Sequence, residues 1–395
     1  MSYPKRRKPE QRKAAKLLLA VFPASLSYLF ANFASPAVAQ QSHDLQTRLG
    51  QMDRMVTQQL AEQHIPGYCL TVVSNGAVVF QKAYGFADLQ KQVPVTPSTV
   101  FGIGSLTKTF TALTLLTLVD KGLVNLDDPV SKYVPDLPPD YQPLKIRQLA
   151  SMVAGVPSKA PRELAWREQL KILNQMPLVS KPGSQYLYSN YSYRLLGSVI
   201  ANVTGRDYLE VVREVINPLG MSSTGTVFSL ASTGRVALPY ADNMGNGPLR
   251  EIEYKQPAVQ FSAGMIATSS EDLTKYVQAL MSRQILSEQG YRTLWYTRPP
   301  LTTGAPSPWA FGWKSAPDGG KNFTGQFMVT MNGGVPGVAS NIIILPDSRS
   351  AVIALCNLRK PSVYAISRQA AQMVFGNGSS ADNEEPATEA HGDND

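Results

Sequence analysis

Ser105 and Lys108 stand three residues apart in FGIGSLTKTF, residues 101–110. On one helical turn, residues i and i+3 share a face, so the lysine stem can bring its nitrogen to the serine hydroxyl. A serine at a helix N-terminus also presents its backbone N–H outward, where an oxyanion can be held. The same residues would equally serve as a helix start followed by a surface lysine, so this pair alone does not decide. A second pair follows at Tyr188-Ser189-Asn190, the only Y-x-N in the chain, just after Pro182-Gly183 and ahead of an apolar stretch. A phenol can pass a proton and an amide can fix a carbonyl. Their structural roles would be a packed ring and a helix cap.

Histidine is nearly excluded from the chemistry. The chain has three: His43 and His391 near its ends, and His64 at the end of a helical pattern beside Pro66. There is no G-x-S-x-G elbow to present a serine to it. His64 is therefore read as structural, and a serine hydrolase here needs Lys or Tyr as its base.

The elements that would position these groups can be read from periodicity. Leu45, Leu49, Met52, Val56 and Leu60 recur at helical spacing over residues 44–64. Two β-rich runs then flank Asn75-Gly76, a hairpin signal. After Ser105 an apolar helix runs to Lys121-Gly122, and residues 122–254 mix loops and helices. SYRLLGSVIANVTG and DYLEVVREVINPLG each read as a helix closed by glycine. Strands return at WAFGWKSA, GQFMVTMN, NIIILPD and AVIALCNL, and VYAISRQAAQMVFG forms a closing helix. Short turns between strands imply an antiparallel sheet, so the fold class is α+β.

Charge and export signals lie at the ends. The formal charge is +8, but residues 1–39 hold seven Lys or Arg against one acid, leaving +2 for the rest. That distribution excludes a basic nucleic-acid-binding face. The basic start, the uncharged run after Lys16 and Ala37-Val38-Ala39 read as a signal peptide cleaved after Ala39. An uncleaved membrane anchor is the alternative. Cleavage would leave a periplasmic or secreted protein. Residues 376–395 are acidic, polar and without core residues, which reads as a disordered tail. The two cysteines, Cys69 and Cys356, sit in apolar runs and are expected as buried free thiols.

Ser105-x-x-Lys108 followed by Tyr188-x-Asn190 resembles the serine β-lactamase and penicillin-binding-protein family. The nearest pattern is its class C β-lactamase-like branch, with D-alanyl-D-alanine carboxypeptidases and β-lactamase-like esterases. VFGIGSLTKTFTAL, GLVNLDDPVSKYVPDL, PGSQYLYSNYSYRLLGSVIANVTG, NPLGMSSTG and SAGMIATSSEDLTKY carry the resemblance, which extends from about residue 50 to 375. It implies a β-lactamase/transpeptidase-like fold over residues 44–375, with a mainly helical lobe inserted at roughly 116–256. It implies Ser105 as acylated nucleophile, Lys108 sharing its proton, and Tyr188 as general base and later proton donor. Asn190 would hold Lys108 and the substrate amide. No metal or organic cofactor is implied, and the partner is a small-molecule or peptidoglycan-peptide substrate.

The chain departs from the family at the third motif, a Lys or His, any residue, then Gly. The aligned residues are Met331-Asn332-Gly333, with Gly334 following. A thioether supplies neither charge nor a strong donor, so the partner of a penicillin carboxylate is lost. Gly334 would still offer its N–H to an oxyanion hole, and Arg359 is a candidate substitute charge. The family's His-Thr-Ser-Gly-like run is replaced by Ser151-Met152-Val153-Ala154-Gly155, read as a packing segment. The expected function is an exported serine acyl-hydrolase acting on esters or D-alanine-terminated peptides. A β-lactamase, or a non-catalytic binding protein with a crippled site, are the alternatives.

Overall fold

The computed structural model describes residues 36–158, 164–242, 248–320 and 323–376. Residues 1–35 of the stretch expected as a signal peptide, and residues 377–395 of the expected tail, lie outside the described residues. The chain falls into two units, 1–44 and 45–395; of the first, only the opening turns of one helix are described.

Along the chain the elements are α1 (Pro36–Glu62), β1 (Gly67–Ser74), β2 (Ala77–Asp88), β3 (Val93–Pro94), β4 (Val100–Gly102) and α2 (Thr107–Asp120). The middle contains α3 (Ile146–Ala150), α4 (Trp166–Lys171), α5 (Asn190–Thr204), α6 (Tyr208–Ile216), β5 (Tyr240–Ala241), β6 (Arg250–Glu251) and α7 (Pro257–Gln260). The remainder holds β7 (Ala267–Ser269), α8 (Ser270–Met281), α9 (Glu288–Tyr291), β8 (Lys314–Ala316), β9 (Met328–Val335), β10 (Val338–Leu345), β11 (Ser350–Cys356) and α10 (Pro361–Phe375). The helical residues expected as a lobe belong to the same unit as the sheet.

Seven strands form one antiparallel sheet in the order β3-β2-β1-β11-β10-β9-β8. Period-2 alternation gives this sheet two buried faces. One face carries Tyr68, Leu70, Val352, Ala354 and Ile343 against α1 and α10. The other carries Cys69, Ile342, Ile353, Leu355 and Met331 in a core shared with α2, α5 and α8. The architecture is the expected α+β antiparallel sheet flanked by helices.

The hairpin at Asn75-Gly76 forms as read: Ser74 pairs with Ala77, and both turn residues have positive φ (53° and 81°). Helix α1 begins at Pro36 rather than near residue 44, because nothing between them breaks a helix and Pro is tolerated in the first turn. WAFGWKSA is a strand only from Lys314. Trp309 to Trp313 is instead a buried loop, bent at Gly312 (φ 79°), where a Cβ would meet the α2 backbone at Lys108 O, 3.0 Å away.

Cys69 and Cys356 are free and buried. They lie on adjacent strands, but Cys356 pairs with Tyr68 and Leu355 with Cys69, so the two thiols point to opposite faces of the sheet. Burial pushes the Cys69 thiol up to about 11 and the Cys356 thiol up to about 12.

Candidate active site

Ser105 sits in a 3-10 turn, Gly104–Leu106, that feeds directly into α2. Every residue of α2 from Thr107 to Leu116 is buried, threonines and Lys108 included, so the helix is enclosed on all sides over that stretch. The turn is fixed from several directions: Ser340 Oγ donates to Ile103 O (2.8 Å), Ile103 N to Ile266 O, and Ile266 N to Thr107 Oγ1. Gly104 has φ 49°, and a Cβ there would lie 2.7 Å from Gly334 N. Gly333 is equally tight, since a Cβ would lie 2.0 Å from Ile103 O. Missing side chains on both partners let β9 lie against the serine turn.

Lys108, the second residue of α2, is fully buried. Its Nζ donates to Ser105 Oγ (3.0 Å), Asn190 Oδ1 (2.7 Å) and Ala263 O (3.1 Å), three uncharged acceptors. From the opposite side Tyr188 Oη donates to Ser105 Oγ at 2.8 Å. The Lys108 nitrogen also lies 4.8 Å from the centroid of the Tyr188 ring. Tyr193, 5.9 Å from the same nitrogen, donates to Ala150 O, and complete burial holds its phenol above the usual range. Tyr193 therefore stays a neutral packing partner.

Tyr188 and Asn190 straddle the start of α5. Ser189 between them is its N-cap, accepting from Ser192 N and donating to Pro157 O. The preceding loop is bonded along the 152–155 segment: Val179 N to Gly155 O, Gly183 N to Val153 O and Leu187 N to Met152 O. The segment read from sequence as packing is buried, and it also carries the tyrosine loop.

Ser105, Lys108, Tyr188 and Asn190 thus converge within hydrogen-bonding distance, and Gly333 and Gly334 abut them. Arg359 and Tyr364 reach the same strand: a Cβ on Gly334 would lie 3.2 Å from Arg359 Nε and 2.5 Å from Tyr364 Oη. Tyr364 Oη donates to Gly333 O. Met331 is buried in the core on the side of β9 that faces α2. Asn332 alternates to the other face, where its Oδ1 accepts from Asn341, whose own Oδ1 accepts from Ser367 on α10. The Asn332 side chain is therefore turned away from Ser105, which corrects the expectation that it lines the substrate site.

Sequence reasoning missed Ala263, whose contribution is a backbone carbonyl and leaves no signature in residue type. It also missed Trp309, which meets the Tyr188 ring edge-on at 5.7 Å and stacks on Tyr186. No group of three or more His, Cys, Asp or Glu side chains able to hold a metal occurs among the described residues.

The model of the family described as Beta-lactamase matches residues 52–375. The chain belongs to that family, and its fold is the β-lactamase/transpeptidase fold. It is 29% identical over 339 residues to protein flp of Staphylococcus aureus (strain MW2), covering 79% of this chain and 64% of that one. It therefore spans less than two thirds of that relative's length. The octameric penicillin-binding protein homologue from Pyrococcus abyssi superposes with a TM-score of 0.71 at 28% identity, covering 81% of this chain and 77% of the other. The D-amino acid amidase from Ochrobactrum anthropi SV3, solved with D-phenylalanine, gives 0.72 at 21% identity over 84% and 99%, a likeness of fold.

Proposed function

We propose that the protein is a serine acyl-hydrolase that forms an acyl-Ser105 intermediate. The observation that carries this reading is the double engagement of Ser105 Oγ, 3.0 Å from Lys108 Nζ and 2.8 Å from Tyr188 Oη. The oxygen lies between two groups that can each exchange a proton with it. In acylation, Oγ bonds to the substrate carbonyl carbon, and the bond to the leaving alcohol or amine breaks. The serine proton passes through the Lys108–Tyr188 pair to that leaving group. Water then cleaves the acyl ester and releases the acid. The backbone N–H groups of Ser105 and Gly334 are the proposed oxyanion donors.

Neutral esters are the favoured substrates, because Met331 supplies no cation for a substrate carboxylate. A second reading, D-alanine-terminated peptides, is favoured by Arg359 lying against Gly334, where a guanidinium can pair with a terminal carboxylate. The protein is proposed to act outside the cytoplasm after cleavage behind Ala39, which would trim the first turn of α1 and leave its Leu45–Leu60 face intact.

The test is intact mass of the mature protein after incubation with an activated ester and, separately, with a penicillin. An adduct absent from Ser105→Ala is expected, turned over quickly for the ester and slowly for the penicillin. The absence of both adduct and turnover with either reagent sinks the reading. N-terminal mass of the exported protein tests the cleavage site, with Gln40 expected first.

A further inference from the structure

Met152 meets the backbone on both sides of Tyr188. Its carbonyl accepts from Leu187 N at 2.8 Å, and its thioether Sδ accepts from Ser189 N at 3.2 Å. Tyr188 is the residue between those two N–H groups, and Ser189 N is buried. Met152 is itself fully buried and held at φ 57°, in the left-handed region that non-glycine residues rarely adopt. The other non-glycine residues with positive φ at turns and helix ends are mostly polar: His64, Asn75, Gln92, Asp136, Arg283 and Arg349. Among the described residues only Met152 and Phe261 are apolar. The left-handed turn at Met152 closes α3, with Val153 N bonded back to Gln148 O, and it carries Met152 to the tyrosine loop.

We propose that Met152 is a positioning residue: it clasps the two N–H groups flanking Tyr188 and so sets the phenol against Ser105. The backbone half of the clasp is independent of residue type, whereas the sulfur half is specific. Sulfur is a weak acceptor, but it is the acceptor found for an N–H that has no access to water. Ser189 Oγ is already used, capping α5 and bonding Pro157 O. Without the sulfur, the Ser189 N–H has to turn in search of another acceptor, and Tyr188 moves with it.

Two substitutions separate a clasp from simple packing. Met152→Leu keeps the volume and removes the acceptor, whereas Met152→Gln keeps the length and supplies a stronger one. If Met152 only packs, leucine is tolerated and a buried glutamine is the harmful change. If it clasps, the order inverts. Hydrogen exchange at the Ser189 amide reads the clasp directly and needs no activity. Exchange is expected to be about tenfold faster in Met152→Leu, the loss of one buried hydrogen bond, and near the wild-type rate in Met152→Gln.

The second readout rests on the acyl-serine reading. The rate constant for Ser105 acylation by an activated ester should fall about tenfold in Met152→Leu, with the reversible dissociation constant of that ester unchanged, and should recover in Met152→Gln. Unchanged Ser189 protection in Met152→Leu overturns the clasp, as does slower acylation in Met152→Gln than in Met152→Leu. If the wild type forms no acyl-serine, the proposed function fails, and amide exchange decides the clasp alone. Should Met152→Gln not fold, exchange in Met152→Leu against wild type decides it.

Discussion

Lys108 and Tyr188 reach the same serine oxygen from two different kinds of scaffold. Lys108 lies one turn beyond Ser105 where the 3-10 turn runs into α2, so its distance is set by local geometry, and its nitrogen is enclosed by Asn190 and Ala263. Tyr188 comes from a loop more than eighty residues later, held by bonds to the 152–155 segment and by the capped start of α5. The lysine half is rigid because it is part of the core. The tyrosine half is rigid only as long as its long-range bonds hold. Catalytic groups that are equally close to one atom can therefore differ widely in how easily they are displaced.

The sharpest way to break that comparison is to remove each group in turn. Lys108→Met should reduce Ser105 acylation about ten-thousandfold, because nothing else can enter the enclosed position. Tyr188→Phe should cost less, about a hundredfold, because the half-buried phenol leaves a place that water can take. Acylation rates with one activated ester check both, and a larger loss from Tyr188→Phe would reverse the assignment of the rigid half.

A milder test disturbs the lysine half from outside. A Cβ on Gly197 of α5 would lie 2.0 Å from Ser262 Oγ, beside the carbonyl that Lys108 uses. Gly197→Ala should destabilise the fold by about 2 kcal/mol, measured by urea unfolding, as overpacking a core does. It should also slow acylation, because Ala263 has to shift. Wild-type stability would mean that the contact relaxes freely. The smallest effect expected is that of Arg359→Ala: about a fivefold loss for substrates bearing a carboxylate and none for neutral esters, the worth of one partly exposed ion pair. Equal losses for both substrate types would remove Arg359 from substrate recognition.

These two halves were also unequally legible in the sequence. Ser105 and Lys108 could be paired by spacing alone, because an i, i+3 relation is enforced by any helix. Tyr188 and Asn190 could be proposed only because their types suited the missing base and because the pattern resembled a known family. Nothing in their neighbourhood announces that Met152 lies between Leu187 and Ser189. Strands β10 and β11 were readable as apolar runs on either side of a turn-rich connection. The loop from Trp309 to Trp313 was not, because its aromatic residues fill a core while its backbone bends at Gly312, and composition does not distinguish the two. Asn332 was misplaced for a related reason. A motif aligned residue by residue carries no parity, and the pleat of β9 sends every second side chain to the face covered by α10.

That same parity governs the two sulfur atoms. Cys69 and Cys356 lie on neighbouring strands, a single step of register apart, yet the sheet backbone stands between their thiols. No folded conformer can oxidise them to one another. The native chain therefore has the same covalent connectivity in a reducing cytoplasm and in an oxidising exterior. It needs no disulfide-forming machinery, and moving between those two spaces changes nothing in how the sheet is held.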